Sequence, residues 1–389
     1  MRRGGPAAIA ILLLLAGIAS AAAEKTRIVL APSRTVPIAG RPWTAVLVVS
    51  GARPRTIPVT ASSGARRVHA SARRWRGNRY RARLAFRSAG RWTLQARIGR
   101  ARFRLGAVRV QAPPPQPILF AFPTEVGLDR NGALLLVDTS ERRVVRIEPA
   151  TGRVSVFARV DRPFGLAVTA GGDVYVTSDR TVRRIDTARR MTTVAQTDSD
   201  IGPLAVDATG NVYFTTVTRI LRIEGGTGPV THYGGTGVEG DSGDGGPALQ
   251  AQFRAPHGLA VGADGALYVS DTGNDRIRRI DPTSRVVSAF APARRPGGLG
   301  VGPDGALYVA ASGVHSVLRF DRSGAPTVVA GTGVSGSTGD GGPATAARLQ
   351  EPFDVAVAAD GTLFIVQTGR SGRIRRVNPS GTISTLRRR

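Results

Sequence analysis

The chain has 389 residues, enough for two domains that each bury a core of their own. It contains no cysteine, which excludes disulfides, thiol catalysis and lipidation at a cysteine. Its formal net charge of +27 favours anionic partners, although charge of itself specifies neither fold nor chemistry.

The first element in chain order reads as a secretory signal: Arg2 and Arg3, an apolar run over residues 7–18, then Ala21, Ala22 and Ala23. The arginine pair lacks the Phe-Leu context of a twin-arginine signal. Twelve apolar residues fall short of the roughly 20 that cross a bilayer. Cleavage after Ala23 is therefore expected, leaving no transmembrane span and a chain that is secreted or held in the cell envelope. The alternative is an uncleaved N-terminal anchor.

Residues 24–112 read as a separate module with strands at 26–30, 43–49, 67–71, 80–86, 92–97 and 103–110, divided by glycine and proline turns. That spacing predicts a small Ig-like β-sandwich. The stretch from Asn78 to Phe86, followed by Gly90, Arg91 and Trp92, resembles the closing strands of bacterial Ig-like envelope modules. A proline-rich linker is expected at 113–117, stiff because its prolines are consecutive.

Charge divides unevenly between the parts. Residues 24–112 hold 21 Lys and Arg against Glu24 alone, whereas the chain beyond them holds 31 against 26 acids. A codon bias toward arginine acts on both parts alike, so it does not explain why no acid occurs between Glu24 and Glu125. The densest run gathers Arg73, Arg74, Arg76, Arg79, Arg81 and Arg83 around Trp75 and Tyr80. Such a run suits phosphate or carboxylate polymers, with counterion release as the driving force. For an exported chain the expected partner is an anionic cell-envelope polymer; the alternative is a solvated basic surface with no partner.

From Glu125 onward one four-strand pattern recurs six times, starting near Pro123, Pro163, Ile201, Pro256, Pro296 and Pro352. The period of about 40 residues is that of propeller blades. Two intervals are longer because a similar loop is inserted twice, at Gly235–Ala248 and Gly331–Ala344. Second strands such as Leu134–Val137 and Leu363–Val366 are apolar at consecutive positions, so both of their faces need cover. A ring of blades supplies it, and the expected fold is an all-β, six-bladed β-propeller behind the Ig-like sandwich. Short Gly-containing turns such as Asn131-Gly132 and Asp264-Gly265 close the first hairpins.

The phrases Pro256–Val261, Leu267–Arg279 and Gly339–Ala344 resemble NHL-repeat β-propellers over residues 118–389, although the family's Asn-His pair is replaced here by Asn274-Asp275. The resemblance implies a fold used by ligand binders, sensor ectodomains and a few lyases, without selecting among them. Arginines that recur near the end of each third strand, from Arg146 to Arg376, are expected to form blade-to-blade ion pairs or to lay their stems on the surface.

Three constellations bear on chemistry. The strings Gly235-x-Gly-x-x-Gly240 and Gly331-x-Gly-x-x-Gly336 lack the long helix of a dinucleotide site, so no nucleotide cofactor is expected; about two helical turns follow each. Asp241, Asp244 and Asp340 in those loops fit turn chemistry better than a calcium loop. Third, the residue before each first strand's apolar run is expected near the central channel. It is Gly165, Gly258 and Gly298 in three copies, Pro203 in a fourth, and Glu125 and Asp354 in the first and last, which become neighbours on ring closure.

Glu125 and Asp354 together with His257 are thus the channel-mouth candidates, and they resemble the metal-bearing channels of six-bladed lactonases and lyases. A divalent metal is the cofactor that resemblance implies, but the residues point to none, since catalytic sites use three or more protein ligands. The preferred reading is a noncatalytic binding scaffold with a protein or glycan ligand on a propeller face; the alternative is a metal-dependent lactonase or lyase. Residues 118–122 are expected to join the last blade if the ring is fastened by backbone bonds, and Arg387, Arg388 and Arg389 to form a frayed end.

Overall fold

The computed structural model describes residues 27–32, 35–50, 54–111, 116–368 and 372–388. The signal reading at 1–23 and linker residues 112–115 lie outside these. The chain divides into two compact units, residues 1–114 and 115–389. No helix among the described residues is long and apolar enough to cross a membrane.

In the front unit seven antiparallel strands form one hydrogen-bonded path: β1 (Arg27–Leu30), β2 (Pro42–Ser50), β3 (Thr56–Ser63), β4 (Arg66–Arg76), β5 (Arg79–Ala85), β6 (Gly90–Ile98) and β7 (Ala101–Val110), in the order β1-β2-β5-β4-β3-β6-β7. Strict alternation makes one face of each strand greasy. In β5 Tyr80, Ala82 and Leu84 are buried while Arg79, Arg81, Arg83 and Ala85 face water. The inward residues meet Trp43, Phe86 and Trp92, whose rings stack in sequence at centroid distances of 6.1 and 5.2 Å. Strand β3 escapes the sequence reading because Pro58 interrupts it. Its β6 partner pairs only with residues 59–62, so Pro58 sits where the strand is open on that side.

The second unit holds six sheets, five of four strands and the last of five, whose first strands are Pro123–Leu128, Pro163–Val168, Leu204–Val206, Pro256–Val261, Pro296–Val301 and Pro352–Val357. Each first strand touches the next, and the first also touches the last, so the six sheets close into a ring. The second strands are buried, as their continuous apolar runs demand, apart from the half-buried Tyr268 and Tyr308; every residue of Leu134–Asp138 and Leu363–Gln367 is buried.

Closure uses both ends of the unit. Leu119–Phe120 pairs with Gly372–Arg373 of the last blade, and Gln116–Pro117 pairs with Arg387–Arg388. The Ile118 N–H donates to the Leu386 carbonyl at 3.0 Å. The outer edge of blade six is therefore shared between Ile383–Thr385 and the entering chain. Two expectations change accordingly. Residues 116 and 117 are strand rather than linker, and Arg387–Arg388 is paired rather than frayed, because the blade edge offers unpaired backbone groups.

The repeated arginines pair within blades, not between them. Arg146, Arg184, Arg279 and Arg319 reach Asp129, Asp173, Asp264 and Asp304, each in the first hairpin turn of its own sheet, at 2.6–2.9 Å. The second strand lies between, so third-strand end and first turn come side by side.

The two insertions are laced onto the outer strand of the following blade. Gly245 donates to the Val287 carbonyl and Val287 to that of Gly246; Gly341 and Ile383 repeat the pattern. The predicted two helical turns reduce to single 3₁₀ turns, Ala248–Gln250 and Ala344–Ala346, because the backbone that precedes them is held by the neighbouring strand. Asp244 and Asp340 are anchored by the fully buried Arg278 and Arg375, at 2.8 and 3.0 Å. The loop carboxylates are thus ion-pair partners, and the two buried cations are the residues that sequence reading missed.

Candidate functional site

In five blades the register of the first strand breaks just after its leading proline, between Pro123 and Val126, Pro163 and Leu166, Pro256 and Leu259, Pro296 and Leu299, and Pro352 and Asp354. A bulge of this kind re-aims side chains and leaves backbone groups off the ladder. Here it brings Glu125 and Asp354 inward between blades, where each is almost fully buried, 6% and 4% exposed.

Both carboxylates are used to tie blades together. Asp354 accepts the N–H of Val126 in blade one at 2.8 Å and that of Val355 at 2.7 Å. Glu125 accepts the N–H of Leu166 in blade two at 3.0 Å. On its other side Asp354 lies against Gly298 of blade five, where a Cβ would stand 1.8 Å from its Oδ1; only glycine fits. The equivalent seams elsewhere use hydroxyls. Between blades four and five Ser270 donates to the Gly297 carbonyl and Thr272 to the Pro296 carbonyl, both at 2.7 Å.

Burial raises both carboxyl groups above the usual range, Asp354 to about 7, and the neighbouring Asp354 charge lifts Glu125 further. The pair holds a proton where exposed carboxylates would be ionised. The sequence expectation of two carboxyls meeting on ring closure describes this geometry, but they sit inside the wall instead of at an open mouth, because the bulged N–H groups draw them in.

His257 occupies a different layer. Its ring meets Phe353 edge-on at 4.8 Å and Phe164 at 5.7 Å, and the two phenyl rings stand 6.4 Å apart. Blades two, four and six thus each send one ring toward the axis, while Thr124, Gly202 and Gly297 take the corresponding places in the other three. Alternating large and small residues close the centre. Both His257 ring nitrogens are buried without a hydrogen-bond partner, and burial pushes its pKa down to about 4, so it is neutral at pH 7. Phe164 and Phe353 were legible as the middle residues of Pro163-Phe164-Gly165 and Pro352-Phe353-Asp354, a position that sequence reading passed over.

No three His, Cys, Asp or Glu side chains converge among the described residues. The two carboxylates that meet are bound to backbone N–H groups, and His257 lies against two phenyl rings.

The six basic candidates in the front unit do come together. Arg73 stands directly opposite Arg81, and Arg76 opposite Arg79, on adjacent strands; Arg74 and Arg83 flank them, and all six are exposed. A bulge between Arg74 and Arg76 turns Trp75 out, where the Arg81 guanidinium carbon lies 3.1 Å from its ring centroid. Tyr80 is not part of this surface: it is buried, its hydroxyl donating to the Pro54 carbonyl at 2.7 Å.

Comparison with known proteins adds the lineage. A 39-residue stretch is 62% identical to human teneurin-1; it is 10% of this chain and spans only 1% of that relative's length, as it does in the mouse protein. Among solved structures the chain is similar to a Bacteroides thetaiotaomicron protein of unknown function, at 17% identity and TM-score 0.55, covering 86% of this chain and 94% of that one. It is also similar to a Xanthomonas campestris gluconolactonase, at 17% identity and TM-score 0.51, covering 67% and 88%. A streptogramin B lyase matches at 16% identity and TM-score 0.50, covering 70% and 85%. At such identities the likeness is one of fold. The family model for the SMP-30/Gluconolactonase/LRE-like region matches residues 126–338, more than half of the chain and nearly five blades of the ring. The chain belongs to the SMP-30/gluconolactonase/LRE-like family.

Proposed function

We propose that this protein is an exported, noncatalytic binding scaffold, in which propeller loops recognise a protein or glycan and the basic front unit, read as an Ig-like module, associates with an anionic envelope polymer. The observation that carries the first part is the bonding of Glu125 and Asp354 to the N–H groups of Leu166 and Val126. Carboxylates committed to the backbone of neighbouring blades serve ring closure and leave no open coordination position. Protein equilibrated with zinc, calcium or magnesium and then gel-filtered is expected to carry substoichiometric metal and to leave a panel of lactones intact. Stoichiometric metal that is lost in Asp354→Ala would sink this reading.

The second reading, a metal-dependent lactonase or lyase working at the propeller channel, draws its support from the family's description and from the two enzymes of like fold. Turnover of any lactone that stops on Glu125→Gln would select it.

For the front unit, the strand order supports the Ig-like reading: β1-β2-β5-β4 and β3-β6-β7 follow the ABED and CFG groupings of that fold. Like charges directly opposite on adjacent strands disfavour the folded sheet, so Arg73 facing Arg81 is a cost without a counter-charge. An anionic polymer supplies one. The full chain is expected to bind poly(glycerol phosphate) with affinity that falls steeply with salt, and the triple variant Arg79→Glu, Arg81→Glu, Arg83→Glu to lower the log–log salt slope by about 3. A slope unchanged by the variant would exclude this face as the contact.

A further inference from the structure

Between the first and second blades lies a cleft of about 450 Å³, lined by Leu135, Val174 and Phe157 and by four guanidinium groups, those of Arg130, Arg146, Arg153 and Arg189. Three carboxylates also line it, and each is in an ion pair, two of them with the same arginine. Asp129 is bound by Arg146 at 2.7 Å, Glu148 also contacts Arg146, and Asp186 is bound by Arg190 at 2.8 Å. Among the described residues no carboxylate lies within salt-bridge distance of Arg130, Arg153 or Arg189. The cleft therefore holds three arginines without an ion-pair partner beside an apolar wall, and with Arg190 counted its charge is net positive.

Arg189 is placed there at a conformational cost. It stands at φ 66, a region in which residues other than glycine are strained. Its guanidinium lies 3.6 Å from the centroid of Phe157 and donates to the Phe157 carbonyl at 3.2 Å. That contact lays the flat side of the group on the ring and leaves further N–H donors in the cleft. Burial and the nearby Arg146 charge lower its proton affinity, and the Asp129 charge only partly offsets them. The volume is that of a small-molecule site.

We propose that this interblade cleft binds a small organic anion, its carboxylate or phosphate group held by Arg130, Arg153 and Arg189 and its apolar part against Phe157. The site is separate from the ring's axis and does not depend on how the axial residues are read.

The test is calorimetric titration of the full chain, at constant ionic strength, with citrate, with inorganic phosphate and with a hexose monophosphate. Saturable binding of one equivalent is expected, to citrate if the anion is a carboxylate and to the phosphates if it is a phosphate. The variant Arg153→Glu, Arg189→Glu is expected to bind at least about tenfold more weakly, the loss of a charge-assisted pair. Because the front unit is unaltered in that variant, binding that persists at full strength would assign the anion to the basic sheet and overturn the proposal. Arg189→Gly is the folding control. Glycine relieves the backbone at φ 66, so this variant is expected to be at least as stable as wild type and still to lose affinity. A wild-type chain that shows no saturable binding of any of the three anions also overturns it.

Discussion

Glu125→Gln is expected to raise the stability of the protein at about pH 8 and to change it little at about pH 4. In the folded ring burial raises both carboxyl groups, and the charge of Asp354 raises Glu125 further. A carboxyl that binds its proton more tightly in the native state contributes its full stabilisation below the unfolded value of about 4, and loses it as pH rises through the folded value. For Asp354 that folded value is about 7, so the penalty develops between about pH 4 and pH 8. Proton linkage at about 1.36 kcal/mol per decade makes it on the order of 4 kcal/mol for Asp354. The glutamine keeps an oxygen for the Leu166 N–H and removes the charge, leaving Asp354 free to ionise beside a neutral neighbour. Urea unfolding of both proteins across this range reads the effect as a difference. The difference is the relevant quantity, since carboxylates lowered by their hydrogen bonds, such as Asp207 and Asp281, impose the opposite trend on both. Parallel stability profiles for variant and wild type would mean that the two carboxyls are not coupled in the wall.

Phe120→Ala is expected to destabilise the propeller by about 3–5 kcal/mol, the range for removing a buried aromatic ring. Phe120 comes from the segment that enters the ring, yet it packs into one core with Leu134, Leu136, Phe364, Val366 and Leu386, residues of blades one and six. Truncating it therefore opens the seam at which the circle is fastened. Phe122, two residues on and 42% exposed, is the control; its replacement by alanine is expected to stay within about 0.5 kcal/mol of wild type. Amide exchange should localise the damage, accelerating in Gly372–Val377 while Val212–Thr215 of blade three keeps its protection. Equal effects of the two substitutions would show that closure rests on face packing between blades, with the entering strand dispensable.

Much of this architecture was legible in the chain, and the reasons are local. The bulged starts at Pro123, Pro163, Pro256, Pro296 and Pro352, the glycine turns and the doubly buried second strands repeat at one spacing, and repetition survives the loss of any single signal. Strand β3 was not legible, because Pro58 and a run of small polar residues look like a loop until β4 and β6 flank them. Nor were Arg278 and Arg375: on paper they are two of many strand arginines, and only the insertions that fold over them bury them.

The candidate site divides along the same line. Sequence alone determined that blades one and six would put Glu125 and Asp354 side by side, that six arginines would crowd one hairpin without a single acid nearby, and that the second unit would form six blades. Tertiary structure decided what those groups do. Whether a carboxyl faces water or a bulged N–H, whether a histidine meets a ligand or two phenyl rings, and whether an arginine keeps a partner depend on residues 40 to more than 200 positions away along the chain. Solvation and local charge set the chemistry of an ionisable group, and both are properties of the packed ring rather than of any stretch of sequence.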